Sequence, residues 1–205
     1  MRTEAMICML GYVLTAGCAH MGQPVAQSEA IPPHICIVNV AKALDQELLR
    51  TAGEKGVAGV MPMNIRTVEA KAFGGMERFD LRKPDTRFGP KAKLIIYVVN
   101  DPALPFLLAV PGHWSLVNVR GLDKGLNGDT AKYALRLHKV ILKGLAYAAG
   151  VGANADVGRC VMAQGSFETL AGIDGTSSTY SPFAAFPLMD ILSAKGVLKT
   201  EEPVE

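Results

Sequence analysis

The 205-residue chain has almost no excess charge of either sign: 21 lysines and arginines stand against 19 acids, a formal net charge of +2. No basic run interleaves with aromatic residues, so no nucleic-acid partner is expected. Histidine is scarce. His20, His34, His113 and His138 are the full set, and no two stand four apart as metal ligands on one helix face would. The four cysteines include no Cys-x-x-Cys pair, which leaves a zinc knuckle unsupported. No Gly-x-Ser-x-Gly marks a serine nucleophile. What the chain does have is apolar bulk. Nearly half of its residues, 49%, are hydrophobic, enough for a sizeable core and too many for disorder by composition. Its length fits one domain, or one domain with a tail.

The N-terminus reads as a targeting segment. Arg2 gives a weak positive start, and Ala5 to Thr15 is apolar but too short for a permanent span. The run ends in Leu14-Thr15-Ala16-Gly17-Cys18, small residues before a cysteine, as in a bacterial lipobox. The expectation is a lipoprotein-type signal peptide over 1–17 and lipidation of Cys18. A polar, proline-containing tether then covers 18–33. This would place the protein in the bacterial cell envelope, lipid-anchored on the periplasmic or extracytoplasmic face. An ordinary cleaved signal and secretion are the alternative. Cys36 and Cys160 are read as small buried apolar side chains, with a disulfide between them left open.

A single domain is expected over 34–198, followed by an acidic tail over 199–205. His34 to Val40 and Lys93 to Val99 have the composition of buried strands. Lys42 to Lys55 has helical spacing, and Val57 to Ile65 reads as a second strand, giving a β-α-β start. A short helix is placed near 67–73. Leu104–Val110 and His113–Val119 read as strands joined through Pro111-Gly112. Asp129 or Thr130 can cap a helix over about 130–149, with Gly150 as its left-handed stop. Its apolar stripe is Ala131, Ala134, Leu135, His138, Ile141, Leu142, Leu145 and Ala149. Ser166 to Asp174 reads as a turn of helix. Pro182 opens a last helix through Ala194, with Pro187 ending a first short piece.

The most telling stretch is His138 to Met162: a helix, a glycine stop at Gly150, a short loop and Cys160-Val161-Met162. With the strand over 94–99, the Trp114 to Leu122 segment, Ser166 to Asp174 and Tyr180-Ser181-Pro182-Phe183, it resembles the archaemetzincin branch of the metzincin metalloproteases. That resemblance implies an α/β (α+β) fold, a metzincin-like mixed twisted sheet with an active-site-type helix, a methionine turn (Cys160, Met162) and a C-terminal helix. It also implies an edge strand around Trp114, Ser115 and Asn118 able to receive a peptide.

The chemistry is missing. Where the family's HExxHxxGxxH requires His, Glu, His, Gly and His, this chain has Lys143, Gly144, Tyr147, Gly150 and Ala153. A cationic lysine repels a metal ion, a phenol would have to ionise against a pKa near 10, and alanine has no donor. Gly144 removes the general base. Asn154, Tyr180 and Phe183 replace expected second-site cysteines, with Cys160 alone kept. No zinc or other cofactor and no catalytic residue are therefore expected. Lys143 could in principle act as a base or Schiff-base nucleophile. The favoured reading is a cation filling the vacated site, paired with Asp156 or Glu168. The expected function is that of an inactive, peptide- or protein-binding pseudoprotease of the envelope, its partner an unknown peptide or envelope protein. The alternative is a metallopeptidase-family enzyme with residual or altered hydrolysis.

Overall fold

The computed structural model describes residues 31–71, 86–153, 159–165 and 167–199. The expected signal segment, Cys18, most of the tether and the acidic tail beyond 199 lie outside these residues, as do Asn154, Asp156 and Ser166. Five strands form one mixed sheet in the order β2-β1-β3-β5-β4. They are β1 (His34–Val40), β2 (Ile65–Ala70), β3 (Ala92–Val99), β4 (Leu107–Val110) and β5 (Trp114–Asn118). β1 runs parallel to β2 and β3, and β3 to β5; only β4 runs antiparallel. The β4–β5 hairpin turns at Pro111-Gly112, where Gly112 takes a φ of 84° that glycine adopts without strain.

β1 and β3 are buried on both faces, which is why they read as continuous apolar runs. One face carries Ile35, Ile37, Leu94, Ile96, Val98 and Val117 toward the main core. The other carries Cys36, Val38, Tyr97, Trp114 and Leu116. Trp114 meets Tyr97 edge-on, with ring centroids 6.0 Å apart. Cys36 and Cys160 are both buried, and neither is in a disulfide. They belong to the cores on opposite faces of the sheet, which is the physical reason they are not paired.

The segment after β1 is helical from 46 to 60: α1 (Gln46–Leu49), a π-type stretch over Arg50–Lys55, then α2 (Gly56–Val60). The strand expected over 57–65 is thus helix as far as Val60, and β2 begins only at Ile65. β2 also replaces most of the short helix expected near 67–73. β-branched valines at 57 and 60 suggested a strand, but burial of Val57 against the main core overrides that preference.

The long helix α3 (Thr130–Ala149) is as expected. The Asp129 carboxylate accepts from Lys132 N–H at 2.9 Å, and Gly150 closes the helix at φ 99°. Its second half is buried nearly all round, including Lys139, Lys143 and Gly144, whereas Leu135 of the expected apolar stripe is 45% exposed. A short helix α4 (Leu170–Gly175) is followed by α5 (Pro182–Ala194). Pro187 does not end α5, which continues unbroken to Ala194 on a buried stripe of Ala184, Leu188 and Leu192. The proline forfeits one backbone hydrogen bond of the helix, and burial of that stripe compensates.

The first and last described segments meet. Asn64 N–H donates to Val197 C=O and its side-chain amide to Pro33 C=O, at 2.8 and 3.4 Å. Pro33 also lies against Gly196, directly after α5. Both therefore sit where β1 begins. Among the described residues no helix is long and apolar enough to cross a membrane.

Candidate functional site

Four cations on α3, Lys132, Arg136, Lys139 and Lys143, recur at intervals of four, three and four, which sets them on one helix face. Three of them are buried and grip the chain that follows the helix. Arg136 is 4% exposed and forms a two-pronged pair with Asp174, Nε to Oδ1 at 2.7 Å and Nη2 to Oδ2 at 2.6 Å. Its Nη1 donates to Leu122 and Lys124 carbonyls at 2.7 and 2.9 Å. The Arg136 guanidinium holds the Asp174 carboxyl down to about 2. Lys139 Nζ donates to the carbonyls of Ile173 and Asp174 at 3.0 and 3.3 Å. Burial lowers its pKa.

Lys143 is the innermost cation. Its Nζ donates to Ala163 C=O at 3.1 Å and lies 4.3 Å from the centre of the Phe167 ring. Burial pushes its pKa down to about 8, opposed by the charges of Cys160 and Glu168. Glu168 acts on Lys143 electrostatically; Asp156, the other carboxylate suggested for it, lies outside the described residues. Lys143 and Tyr147 open onto one cleft of about 510 Å³, together with Phe106, Leu107, Arg120, Lys124, Phe167 and Glu168. Ala153 is exposed and is not part of its lining. Met162 is fully buried in the main core.

Gly144 stands where a general base was expected, and it has a packing reason. A Cβ there would lie 2.7 Å from Val117 Cγ2 and 3.1 Å from Ser115 Oγ. Glycine lets α3 press its backbone onto β5 at this point. Ser115 Oγ is fully buried at this contact with no hydrogen-bond partner.

The expected edge strand needs correction. Trp114, Ser115 and Asn118 lie on β5, which is paired on both sides, by β3 and β4. All three are buried, and β5 has no free backbone edge for a peptide. Asn118 does a structural job instead. Its amide donates to the carbonyls of Asp101 and Leu104 at 2.7 and 2.8 Å, and its oxygen accepts from Asp101 and Arg120 N–H. Among the described residues, the free edge on this side of the sheet is β4. With Asn118 N–H bonded to Phe106 C=O at 2.9 Å and Leu107 opposite Val117, antiparallel alternation turns the N–H and C=O of Leu107 and Ala109 away from β5. Phe106 and Leu107 at the start of this edge line the cleft.

No family model matches this chain, and neither does any curated protein. Solved structures do. An archaemetzincin from Methanopyrus kandleri superposes with a TM-score of 0.59 over 80% of this chain and 98% of its own, at 19% identity. The fold is archaemetzincin-like. An archaemetzincin from Archaeoglobus fulgidus, solved with malonate, gives 0.54 at 13% identity over 75% and 98%. A zinc-dependent peptidase from Methanocorpusculum labreanum gives 0.57 at 16% identity over 75% and 99%.

The archaemetzincin-like fold raises the question of zinc, and the residues at the implied positions do not suit it. The Lys143 amine is committed to Ala163 C=O and the Phe167 face, and Gly144 has no side chain. Tyr147 is a half-buried phenol, and Ala153 has no donor. The second-site positions diverge too. Tyr180 donates its hydroxyl to Leu142 C=O, with burial raising its pKa, while Phe183 is 75% exposed on α5. Among the described residues no three His, Cys, Asp or Glu side chains are grouped to hold a metal. His138 Nδ1 faces Ala52 C=O at 3.2 Å and His34 Nδ1 faces Pro32 C=O at 3.0 Å, local structural contacts both.

Sequence reasoning missed Arg136, Lys139 and Asp174, and also Arg120 and Lys124. The signal for the first two was available: cations at helix spacing on the face that a buried helix turns inward.

Burial of the Lys143 charge gives a pH-dependent expectation. Below pH 8 the amine is protonated in both folded and unfolded chains, and its desolvation cost applies in full. Between pH 8 and the ordinary 10.5 the unfolded chain binds the extra proton, so stability rises with pH and the cost fades. Lys143→Met is expected to stabilise the fold by roughly 1–3 kcal/mol at pH 7. Urea unfolding at pH 7 and pH 10 should show this gain shrinking. A less stable variant at pH 7 would show that the Ala163 and Phe167 contacts outweigh desolvation.

Proposed function

We propose that the chain is a non-catalytic peptide-binding domain on an archaemetzincin-like scaffold, held at a bacterial membrane through lipidated Cys18. The observation that carries the reading is Lys143. Lys143 is the residue that the sequence resemblance sets at the first metal-ligand position, and its amine is engaged by the protein's own carbonyl and aromatic ring, beside a cleft and the outer edge of β4. An extended peptide can add to such an edge through main-chain hydrogen bonds and seat alternate side chains in the cleft. Zinc plays no part in this reading.

One observation favours residual chemistry instead: an amine lowered to about 8 is partly neutral at physiological pH and could serve as a base. In that case hydrolysis of peptides would be measurable and lost in Lys143→Met. The proposal expects no hydrolysis to lose. Chain purified from envelope membranes should contain no stoichiometric zinc by elemental analysis, and Cys18→Ala should move it out of the membrane fraction. One tightly bound zinc per chain would overturn the non-catalytic reading, and unchanged membrane retention would overturn the anchor.

A further inference from the structure

We infer that the groove beside β4 selects an extended peptide carrying a carboxylate side chain, which Arg120 and Lys124 engage. This deepens the peptide-binding reading and rests on it. The cleft has three cations, Arg120, Lys124 and Lys143, and one carboxylate, Glu168. Glu168 acts electrostatically on Lys143, so the positive excess falls on the rim, at Arg120 and Lys124. Both rim side chains are exposed, and neither side chain makes a hydrogen bond or ion pair among the described residues. The nearby Asp123 acts on Tyr133, whose phenol it helps to raise, and forms no ion pair with either rim cation among the described residues.

The rim is also fixed in place. Arg136 holds the Leu122 and Lys124 carbonyls from below, and Asp174 fixes Arg136. Asn118 holds Arg120 N–H at 3.2 Å. The Lys124 stem folds back over Gly121, its Cε 3.3 Å from where a Cβ would stand. The Gly121 φ of 77° is one that an L side chain adopts only under strain. A loop held at three backbone points leaves only the two cationic side chains to order on binding, which favours recognition of a fixed charge. Beside Tyr147 and Thr169, the lining carries the apolar Phe106, Leu107, Phe167, Leu170 and Ile173, which suit the neighbouring side chains of a strand-forming peptide.

The test uses the full chain and fluorescence anisotropy. The probes are two labelled hexapeptides, N-acetylated and C-amidated, mostly valine and threonine, with one central glutamate or glutamine. The glutamate peptide is expected to bind about tenfold tighter, the scale of one charge-assisted hydrogen bond, with the difference collapsing in 0.5 M salt, a concentration chosen to screen exposed charges. Arg120→Ala and Lys124→Ala should each erase most of that difference by weakening the glutamate peptide far more than the glutamine peptide. Equal affinity for the two peptides, or equal weakening of both by the variants, would overturn charge selection while leaving peptide binding standing. No binding of either peptide would overturn the groove itself.

Discussion

Asp174→Ala is expected to destabilise the fold by about 3–5 kcal/mol, the cost of stranding a buried charge. Arg136 is the charge left behind. It is almost fully enclosed, and the carboxylate it loses is bonded to it at two points. Its remaining bonds, to two carbonyls, solvate the guanidinium without neutralising it. Asp174 itself is 28% exposed in its side chain, so water reaches part of the gap and the lower end of the range is favoured. Lys132, 3.3 Å from the same carboxylate and 46% exposed, adds little. The acid limb follows from the same pair. The Asp174 carboxyl sits at about 2 in the fold against an ordinary 3.8, so its contribution is present above pH 4 and disappears as pH falls from 4 towards 2. Urea titrations at pH 7 and pH 3 measure both effects. A loss under about 1 kcal/mol at pH 7 would place this pair with exposed ion pairs of little worth. A double change, Arg136→Met with Asp174→Leu, should recover most of the loss, since paired apolar replacements leave no buried charge.

Restoring the missing protease letters should break the fold before it binds metal. Gly144→Glu sets a Cβ into the 2.7 Å gap to Val117 and then a carboxylate into a contact with no cation beside it on β5. Even Gly144→Ala is informative, because two effects oppose each other. Alanine gains up to about 1 kcal/mol of helix propensity over glycine. The clash with Val117 and Ser115, both short side chains on a buried strand, costs roughly 1–3 kcal/mol. The clash should win, and Gly144→Ala should unfold at lower urea than the parent. The triple change Lys143→His, Gly144→Glu, Tyr147→His is expected to yield little folded protein and no bound zinc. A stable triple variant holding one zinc would show that α3 can lift off β5 without cost, contrary to the packing described.

Much of this architecture is written locally. The α3 boundaries follow from Asp129 and Gly150, and the β4–β5 hairpin from Pro111-Gly112. The cores of β1 and β3 follow from unbroken apolar runs. What the sequence could not convey is which strand neighbours which. Trp114 to Asn118 was read as an edge, but a run buried on both faces fits an interior strand equally well, and only the added hairpin partner β4 decides between them. The helix at 56–60 escaped notice because valines and a following proline imitate a strand, while burial against the core decides otherwise. At the site, the residue types at 143, 144, 147 and 153 were legible one by one. The use made of the replacements was not. Carbonyl acceptors at Ala163, Ile173 and Asp174 are backbone groups, and no side-chain pattern announces them.

The meeting of Pro33 with Gly196 sets where force enters the described domain. Entry and exit share the corner where β1 begins, while the basic rim of Arg120 and Lys124 lies beyond the C-terminal end of β5, which runs parallel to β3, as β3 does to β1. The two features occupy opposite poles of the sheet. A pull applied at Pro33 therefore loads the corner near the Met63–Leu198 bridge, at the pole of the sheet remote from the groove.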